Sequence, residues 1–415
     1  MISVFGSDIG DEEKRLVAEC LDSQWIGCGK VVDSFELEFQ SAVGLKNFLM
    51  VDSGSNALYL AIKLLELPIG SEVILPALTW ISCANAIMLA GLKPVFADVD
   101  LNTMNITAET ISRVITKKSR AIMVVHFAGL PVDIEPILEF GLPIIEDAAH
   151  APYSKVNGKA CGGIGDIGIY SFDAVKNLAV GEGGGITTKD QSSADRARAL
   201  RYCGIKKSGF DNVTTGKNVN WWEYELSEPF IKMLPTNISA SIGLAQLRRR
   251  DELQEKREKF WGLYQVGLQE VSDISLPLEA RRSDKHSYFT YVIRTSRRTE
   301  LAKYLLGEGV YTTLRYHALN NYKDFGQVGI KLSATQVIED TALSIPLHPR
   351  LTESEVAYII DRIKTFFKRF AGLLYKELVL WNGDLYFYYF VLDIVYQIVQ
   401  LQVNIHVGYA VIELV

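Results

Sequence analysis

Two hydrophobic patterns alternate over roughly the first 200 residues. Short apolar runs at 72–75, 94–97, 121–125, 143–145 and 167–170 are rich in β-branched residues and show no in–out alternation. Runs of that kind predict strands covered by helices on both faces, as in a parallel sheet. Between them, apolar residues recur every three to four positions. In 56–66 these are Ala57, Leu58, Leu60, Ala61, Leu64 and Leu65, a spacing that predicts an amphipathic helix. Strands alternating with helices predict an α/β fold with a mostly parallel sheet between helices.

The pattern then changes. Residues 240–269 read as helix and carry Arg248, Arg249, Arg250, Lys256, Arg257 and Lys259, which predicts a solvated, cationic face. A strand at 288–293, a helix at 299–307 and a helix at 356–367, with Thr352 and Glu355 spaced to cap it, predict a smaller α+β part. The expected division is a large α/β domain over 1–245, a small α+β domain over 246–368, and a tail over 369–415. The tail is richer in aromatic residues and poorer in charge than the rest. Its segment 385–403 has one charge, Asp393, and the length of a membrane span, yet Gln397, Gln400 and Gln402 interrupt it. Residues 399–407 alternate as a strand does. A membrane segment, an added strand and an extension foreign to the fold all remain open readings.

Charge and cysteine content narrow the function classes. A net charge of −6 offers no cation excess for a nucleic-acid backbone. Five cysteines without a CxxC pair argue against a disulfide framework or a zinc site and point to a reducing compartment. The first eight residues lack the basic flank and apolar core of a signal peptide, so the cytoplasm is expected.

Three motifs carry candidate chemistry. Ser53-Gly54-Ser55 opens the first amphipathic helix, where free N–H groups and the helix dipole suit a phosphate; a plainly capped helix reads the same way. Glu146-Asp147 ends an apolar strand at the carboxyl edge of the sheet, where α/β folds bind ligands, and His150 follows. An acid there is costly to bury unless a cation faces it. Finally, a strand ends at Ser171, Lys176 follows five residues later, and Gly181 to Gly185 supply a glycine-rich turn. An anion cradle, a strand-end carboxylate and a lysine form the set that pyridoxal 5′-phosphate requires. The lysine bonds its aldehyde, the acid keeps its pyridine nitrogen protonated, and the cradle holds its phosphate. The turn Ser53-Gly54-Ser55 lacks the GxGxxG pattern of a nicotinamide site.

From about Gly6 to Phe367 the chain resembles the DegT-type nucleotide-sugar aminotransferases, a branch of the fold type I pyridoxal-phosphate enzymes. The most specific stretches are Glu146-Asp147-Ala148-Ala149-His150, Ser171-Phe172, Lys176-Asn177-Leu178 and Gly181-Glu182-Gly183-Gly184. The resemblance implies that Lys176 bonds the cofactor and shuttles protons, that Asp147 faces the pyridine nitrogen, and that His150 supports the ring near its phenolic oxygen. Gly54, Ser55 and Ser171 match phosphate ligands, and Trp80 matches an aromatic over the cofactor face, with a packed core tryptophan as the other reading. Asn237 is similar to an asparagine that reaches the phosphate of a neighbouring subunit, which implies a homodimer with shared sites. Asp133 matches a loop beside the cofactor. Tyr316 and His317 match substrate contacts, although Ala318 and Asn320 replace the proline and histidine usual there. The implied activity moves an amino group from glutamate to a keto group of a nucleotide-linked deoxysugar, with no metal. The alternatives are another pyridoxal-phosphate reaction on a sugar nucleotide, such as dehydration, and a non-catalytic regulatory or scaffold member; the family's sugar dehydratases have histidine where this chain has Lys176. The loop 209–228, with Trp221-Trp222, is expected to influence which sugar is taken.

Overall fold

The computed structural model describes residues 1–207, 222–327 and 329–380. Its centre is a seven-stranded sheet: β1 (Leu49–Val51), β2 (Glu72–Pro76), β3 (Lys93–Ala97), β4 (Ser119–Val125), β5 (Ile144–Asp147), β6 (Ile167–Ser171) and β7 (Gly184–Thr188). The order across the sheet is β1-β7-β6-β5-β4-β2-β3. Every pairing is parallel except the two made by β7, which runs against both β1 and β6. The mostly parallel sheet read from the apolar runs is therefore present. The three-residue strand β1 was too short to stand out in the sequence.

Lack of alternation in the strands follows from burial on both faces. Val73, Leu75, Met123, Val125, Ile145 and Ile169 pack into a core shared with the helices Gly54–Leu64 and Ser82–Leu89. The intervening residues Ile74, Ile122, Val124 and Ile144 pack into a different cluster. A third cluster joins Phe35 and Phe39, from the helix Lys30–Val43, to Phe48, Tyr170 and Phe172. Neighbouring positions on one strand thus serve opposite layers.

Beyond the sheet, β8 (Tyr291–Arg294) pairs antiparallel with β9 (Ala342–Ile345). Thr352 and Glu355 form the expected reciprocal cap: the Thr352 N–H donates to the Glu355 carboxylate at 2.8 Å, and the Glu355 N–H to the Thr352 hydroxyl at 3.2 Å. Two readings need correction. The helix expected over 240–269 is two helices, Asn237–Arg248 and Arg250–Leu268, broken at Arg249. Nor is its cationic run all solvated. Arg257 is buried and donates to the carbonyls of Phe289 and Leu347, backbone acceptors that take the place of water.

Residues Met1–Ile360 form one compact unit and Asp361–Val415 a second, described as helix as far as Leu380. The readings placed on 385–403, on 399–407 and on 209–221 of the loop 209–228, Trp221 included, lie outside the described residues. Among the described residues no helix is long and apolar enough to cross a membrane.

Candidate active site

Strand β5 delivers Asp147 to the carboxyl edge of the sheet, and its residues alternate faces, so Ile145 and Asp147 point one way and Glu146 the other. Asp147 is buried. Its Oδ1 accepts from the Ala149 N–H at 2.9 Å, and its Oδ2 accepts from the thiol of Cys83 at 3.2 Å. Burial pushes its carboxyl above the usual range, against the pull of those hydrogen bonds and of the nearby Lys176 amine.

Lys176 follows β6 in a tight loop tied by Asp173. The Asp173 carboxylate accepts from the Val175 N–H at 3.0 Å and its carbonyl from the Lys176 N–H at 2.9 Å. Asn177 anchors the next position by donating to the Ser287 carbonyl at 2.5 Å. The Lys176 amine lies 4.8 Å from the centroid of the Phe289 ring. Among the described residues it has no ion pair or hydrogen bond. Although the residue as a whole is only partly buried, its amine is enclosed. Desolvation first, and the Arg315 cation second, bring its pKa down from 10.5 to about 8. That leaves a substantial neutral fraction near physiological pH, as a proton-shuttling amine needs.

The anion cradle forms at the start of the helix Gly54–Leu64. Ser53 caps it, its hydroxyl accepting from the Asn56 N–H at 3.2 Å, while its carbonyl accepts from the Ala57 N–H. The N–H groups of Gly54 and Ser55 remain as the helix's open donors. The Ser55 and Ser82 hydroxyls are 2.7 Å apart. Glycine is needed at 54 because a Cβ would come within 2.8 Å of the Ser171 Cβ. That close approach brings the Ser171 hydroxyl to the same end of the cavity.

Gly54, Ser55, Trp80, Asp147, His150, Ser171, Lys176 and Tyr316 all line one cavity of about 370 Å³. His150 stacks on Phe289, centroids 4.2 Å apart, and its Nε2 meets the Tyr316 hydroxyl at 3.0 Å. Its buried Nδ1 has no partner among the described residues. Burial, with the cations of Lys176 and Arg315, holds its pKa well below the usual histidine value, so the ring is neutral. Trp80 is 54% exposed at the cavity and tilts against Tyr316, so it is not a packed core tryptophan.

Other expected residues lie elsewhere in this chain. Asn237 sits at the start of its helix, donating to the Trp25 carbonyl at 3.0 Å and accepting from the Val32 N–H at 3.2 Å. The structure does not bring it into the cavity. His317 is exposed and pairs with Glu339 at 3.1 Å. Asp133 is on the surface, 3.0 Å from Arg281, and outside this cavity. The cavity also includes residues that sequence reasoning gave no role: Phe5, Ser82 and Arg315, with Cys83 and Phe289 immediately behind. Ser82 and Cys83 follow Trp80 closely enough for the chain to have hinted at them, but Phe5 and Phe289 carry no local signal.

A tightly approached glycine at a helix start, three hydroxyls, a buried acid, an unbonded amine and an orphaned histidine nitrogen fit a phosphorylated pyridine aldehyde. Residues 7–364 match the model of the DegT/DnrJ/EryC1/StrS aminotransferase family. The chain belongs to that family. It is 33% identical over 373 residues to dTDP-4-dehydro-2,3,6-trideoxy-D-glucose 4-aminotransferase from Saccharopolyspora spinosa, covering 88% of this chain and 96% of that one. The aminotransferase TlmJ from Streptoalloteichus hindustanus superposes with a TM-score of 0.84 at 33% identity, over 89% of this chain and 100% of that one. Spr1654 from Streptococcus pneumoniae, solved in a PLP form, gives a TM-score of 0.80 at 26% identity, over 88% and 98%. Family and neighbours fix the architecture as that of the fold type I pyridoxal-phosphate aminotransferases.

Proposed function

We propose that this aminotransferase uses pyridoxal 5′-phosphate to carry nitrogen from glutamate to the keto carbon of a nucleotide-linked deoxysugar, yielding 2-oxoglutarate and an amino sugar. The observation that carries the reading is the convergence of Lys176, Asp147 and the Gly54–Ser55 helix start on one cavity. The cofactor supplies an aldehyde that bonds amines and a ring that accepts the electron pair released at the adjacent carbon.

The protein supplies the rest. Gly54, Ser55 and Ser171 hold the phosphate through N–H and hydroxyl groups. Asp147, fixed by Ala149 and Cys83, presents a negative charge to the pyridine N–H. His150 and Trp80 border the ring, and His150 stays neutral, so it adds no charge that would compete with Asp147. The Lys176 amine takes the proton from the donor's α-carbon and returns one to the sugar carbon that receives nitrogen; its depressed pKa suits both transfers.

The wider reading has residues 1–245 as the cofactor-binding part and 246–368 as the smaller part. It has Tyr316 and His317 near the sugar, a homodimer acting in the cytoplasm, and Asn237 serving the partner's site. The exposed Trp25 and Ile26 beside Asn237 support an interface there. The name of the Saccharopolyspora relative makes a dTDP-linked 4-keto sugar the first acceptor to try. The test is a panel of dTDP-, UDP- and GDP-linked keto sugars incubated with cofactor-loaded protein and glutamate. Formation of an amino sugar with matching 2-oxoglutarate is the expected result; glutamate that leaves the cofactor's absorption unchanged would refute the donor.

A further inference from the structure

Arg315 lines the cavity, yet nothing in the proposed chemistry uses it. It is 6% exposed. Its guanidinium carbon lies between two rings, 4.5 Å from the centroid of Phe5 and 4.6 Å from that of Phe289. Nη1 donates to the Tyr316 hydroxyl at 3.3 Å, while the buried Nε has no partner among the described residues. Among the described residues no carboxylate pairs with it. The acids on the cavity wall are otherwise placed: Asp147 is bonded to Cys83 and Ala149, Asp173 ties its own loop, and Glu182 is exposed.

The other deeply buried arginines have strong acceptors within the chain, although the Arg257 Nε, like that of Arg315, has no partner among the described residues. Arg201 pairs with Glu36 and donates to the Met50 carbonyl, and Arg257 donates to backbone carbonyls. An arginine cannot relieve its burial by losing a proton. A buried guanidinium without an anion is costly, and it fits a site to which an anion is brought by a ligand.

Its location selects that anion. The Lys176 amine and the Arg315 guanidinium are neighbours on one ring, 4.8 Å and 4.6 Å from the centroid of Phe289. An α-amino acid holds its carboxylate one carbon from the nitrogen it gives up. A donor reacting beside Lys176 therefore carries a carboxylate toward the guanidinium, whose planar fork matches it. The phosphate has a separate seat of neutral donors at Gly54, Ser55 and Ser171. Backbone pairing of Thr313 with Ser344, 2.8 and 3.1 Å, steadies the segment that presents Arg315.

We propose that Arg315 binds the α-carboxylate of the amino-acid donor. The inference rests on the amino-transfer reading above. It is tested on cofactor-loaded protein by titrating the absorption change with glutamate and with isoglutamine, in which the α-carboxylate is an amide. In the wild type, isoglutamine half-saturates at a concentration about tenfold or more above glutamate, the scale of a charge-assisted hydrogen bond. Arg315→Gln raises the glutamate value by a similar factor and leaves isoglutamine within about twofold; Arg315→Lys, which keeps the charge, falls between. Calorimetric binding of dTDP, a probe for a sugar nucleotide's diphosphate, is unchanged in both variants. If Arg315→Gln fails to fold, Arg315→Lys carries the comparison, with glutamate weakened severalfold and isoglutamine unaffected.

Equal weakening of glutamate and isoglutamine, an unshifted glutamate value, or loss of dTDP binding in place of glutamate overturns the proposal. A wild type that reacts with amino acids but shows no dependence on Arg315 defeats this inference alone. One that reacts with neither glutamate nor alanine defeats the amino-transfer reading and this inference with it.

Discussion

Glu146 and Asp147 are adjacent acids on one strand, and they lead opposite lives. Glu146 faces the layer that holds Ile144. It is fully buried, accepts from the N–H groups of Gly162 and Ile164 at 2.9 and 2.6 Å, and meets His126 at 3.0 Å. Its lone pairs are used up by the loop it organises. Asp147 faces the cavity with one N–H and one thiol, a weak donor, and its carboxyl is correspondingly pushed upward. Two buried arginines repeat the contrast: Arg201 has Glu36, whereas Arg315 has no acid among the described residues. In these two pairs the scaffold member has its charge answered inside the chain, and the cavity member keeps valences for a ligand. Burial alone therefore does not mark a functional acid or cation; a buried charge left unanswered on a cavity wall is the stronger sign.

That contrast can be attacked directly. The largest effect is expected at Lys176: Lys176→Ala should lower turnover by about 10⁴-fold or more, measured as steady-state amino transfer. Retained turnover would remove the lysine from the chemistry. Next, Asp147→Asn, which keeps shape and removes charge, should cost roughly 10²–10³ in kcat with little change in denaturation midpoint. Glu146→Gln should do the reverse, losing about 2 kcal/mol in a denaturant titration while kcat stays within a few-fold. Should both substitutions act on the same quantity, the two faces of β5 are not functionally distinct.

The amine offers a pH test of the same idea. In the apoprotein, Lys176 releases its proton near pH 8, while in the unfolded chain it does so at its ordinary 10.5. The unfolded state thus binds the extra proton between those values, and stability rises with pH across that window. Below pH 8 the cost of holding the buried charge is fully present. Lys176→Met should be more stable than wild type at pH 7, and the difference should shrink by up to about 3 kcal/mol as pH climbs toward 10.5. A pH-independent difference would mean that the amine is not desolvated. The smallest effect is expected from removing 369–415. Ending the chain after Lys368 should leave kcat within about twofold, because every cavity residue precedes that point. A truncated protein unable to fold or turn over would show that the tail belongs to the enzyme.

Much of this was legible along the chain because the signals were local. Unbroken apolar runs disclosed strands buried on both sides, and Thr352 with Glu355 disclosed a cap that forms as spaced. Asp147, Lys176 and the Gly54–Ser55 turn were each visible as short motifs at element ends. What escaped was long-range. Arg257 read as one of a solvated run, yet its helix turns it inward. His317 and Tyr316 are adjacent in sequence, but their side chains diverge: Tyr316 meets His150 and His317 pairs with Glu339. Asn237, read as serving a neighbouring subunit, has its amide bonded to Trp25 and Val32 of its own chain, outside this cavity.

The sequence by itself determined the sheet's parallel strands, the first amphipathic helix and the reactive groups, since each depends on neighbours a few residues away. Only the tertiary structure decided which charges were answered. Phe5, Phe289 and Arg315 come together from distant parts of the chain; burial and the Arg315 cation lower the amine's pKa, and the guanidinium is left with no carboxylate among the described residues. Whether a buried charge is compensated depends on every element packed around it, and no stretch of sequence contains that sum.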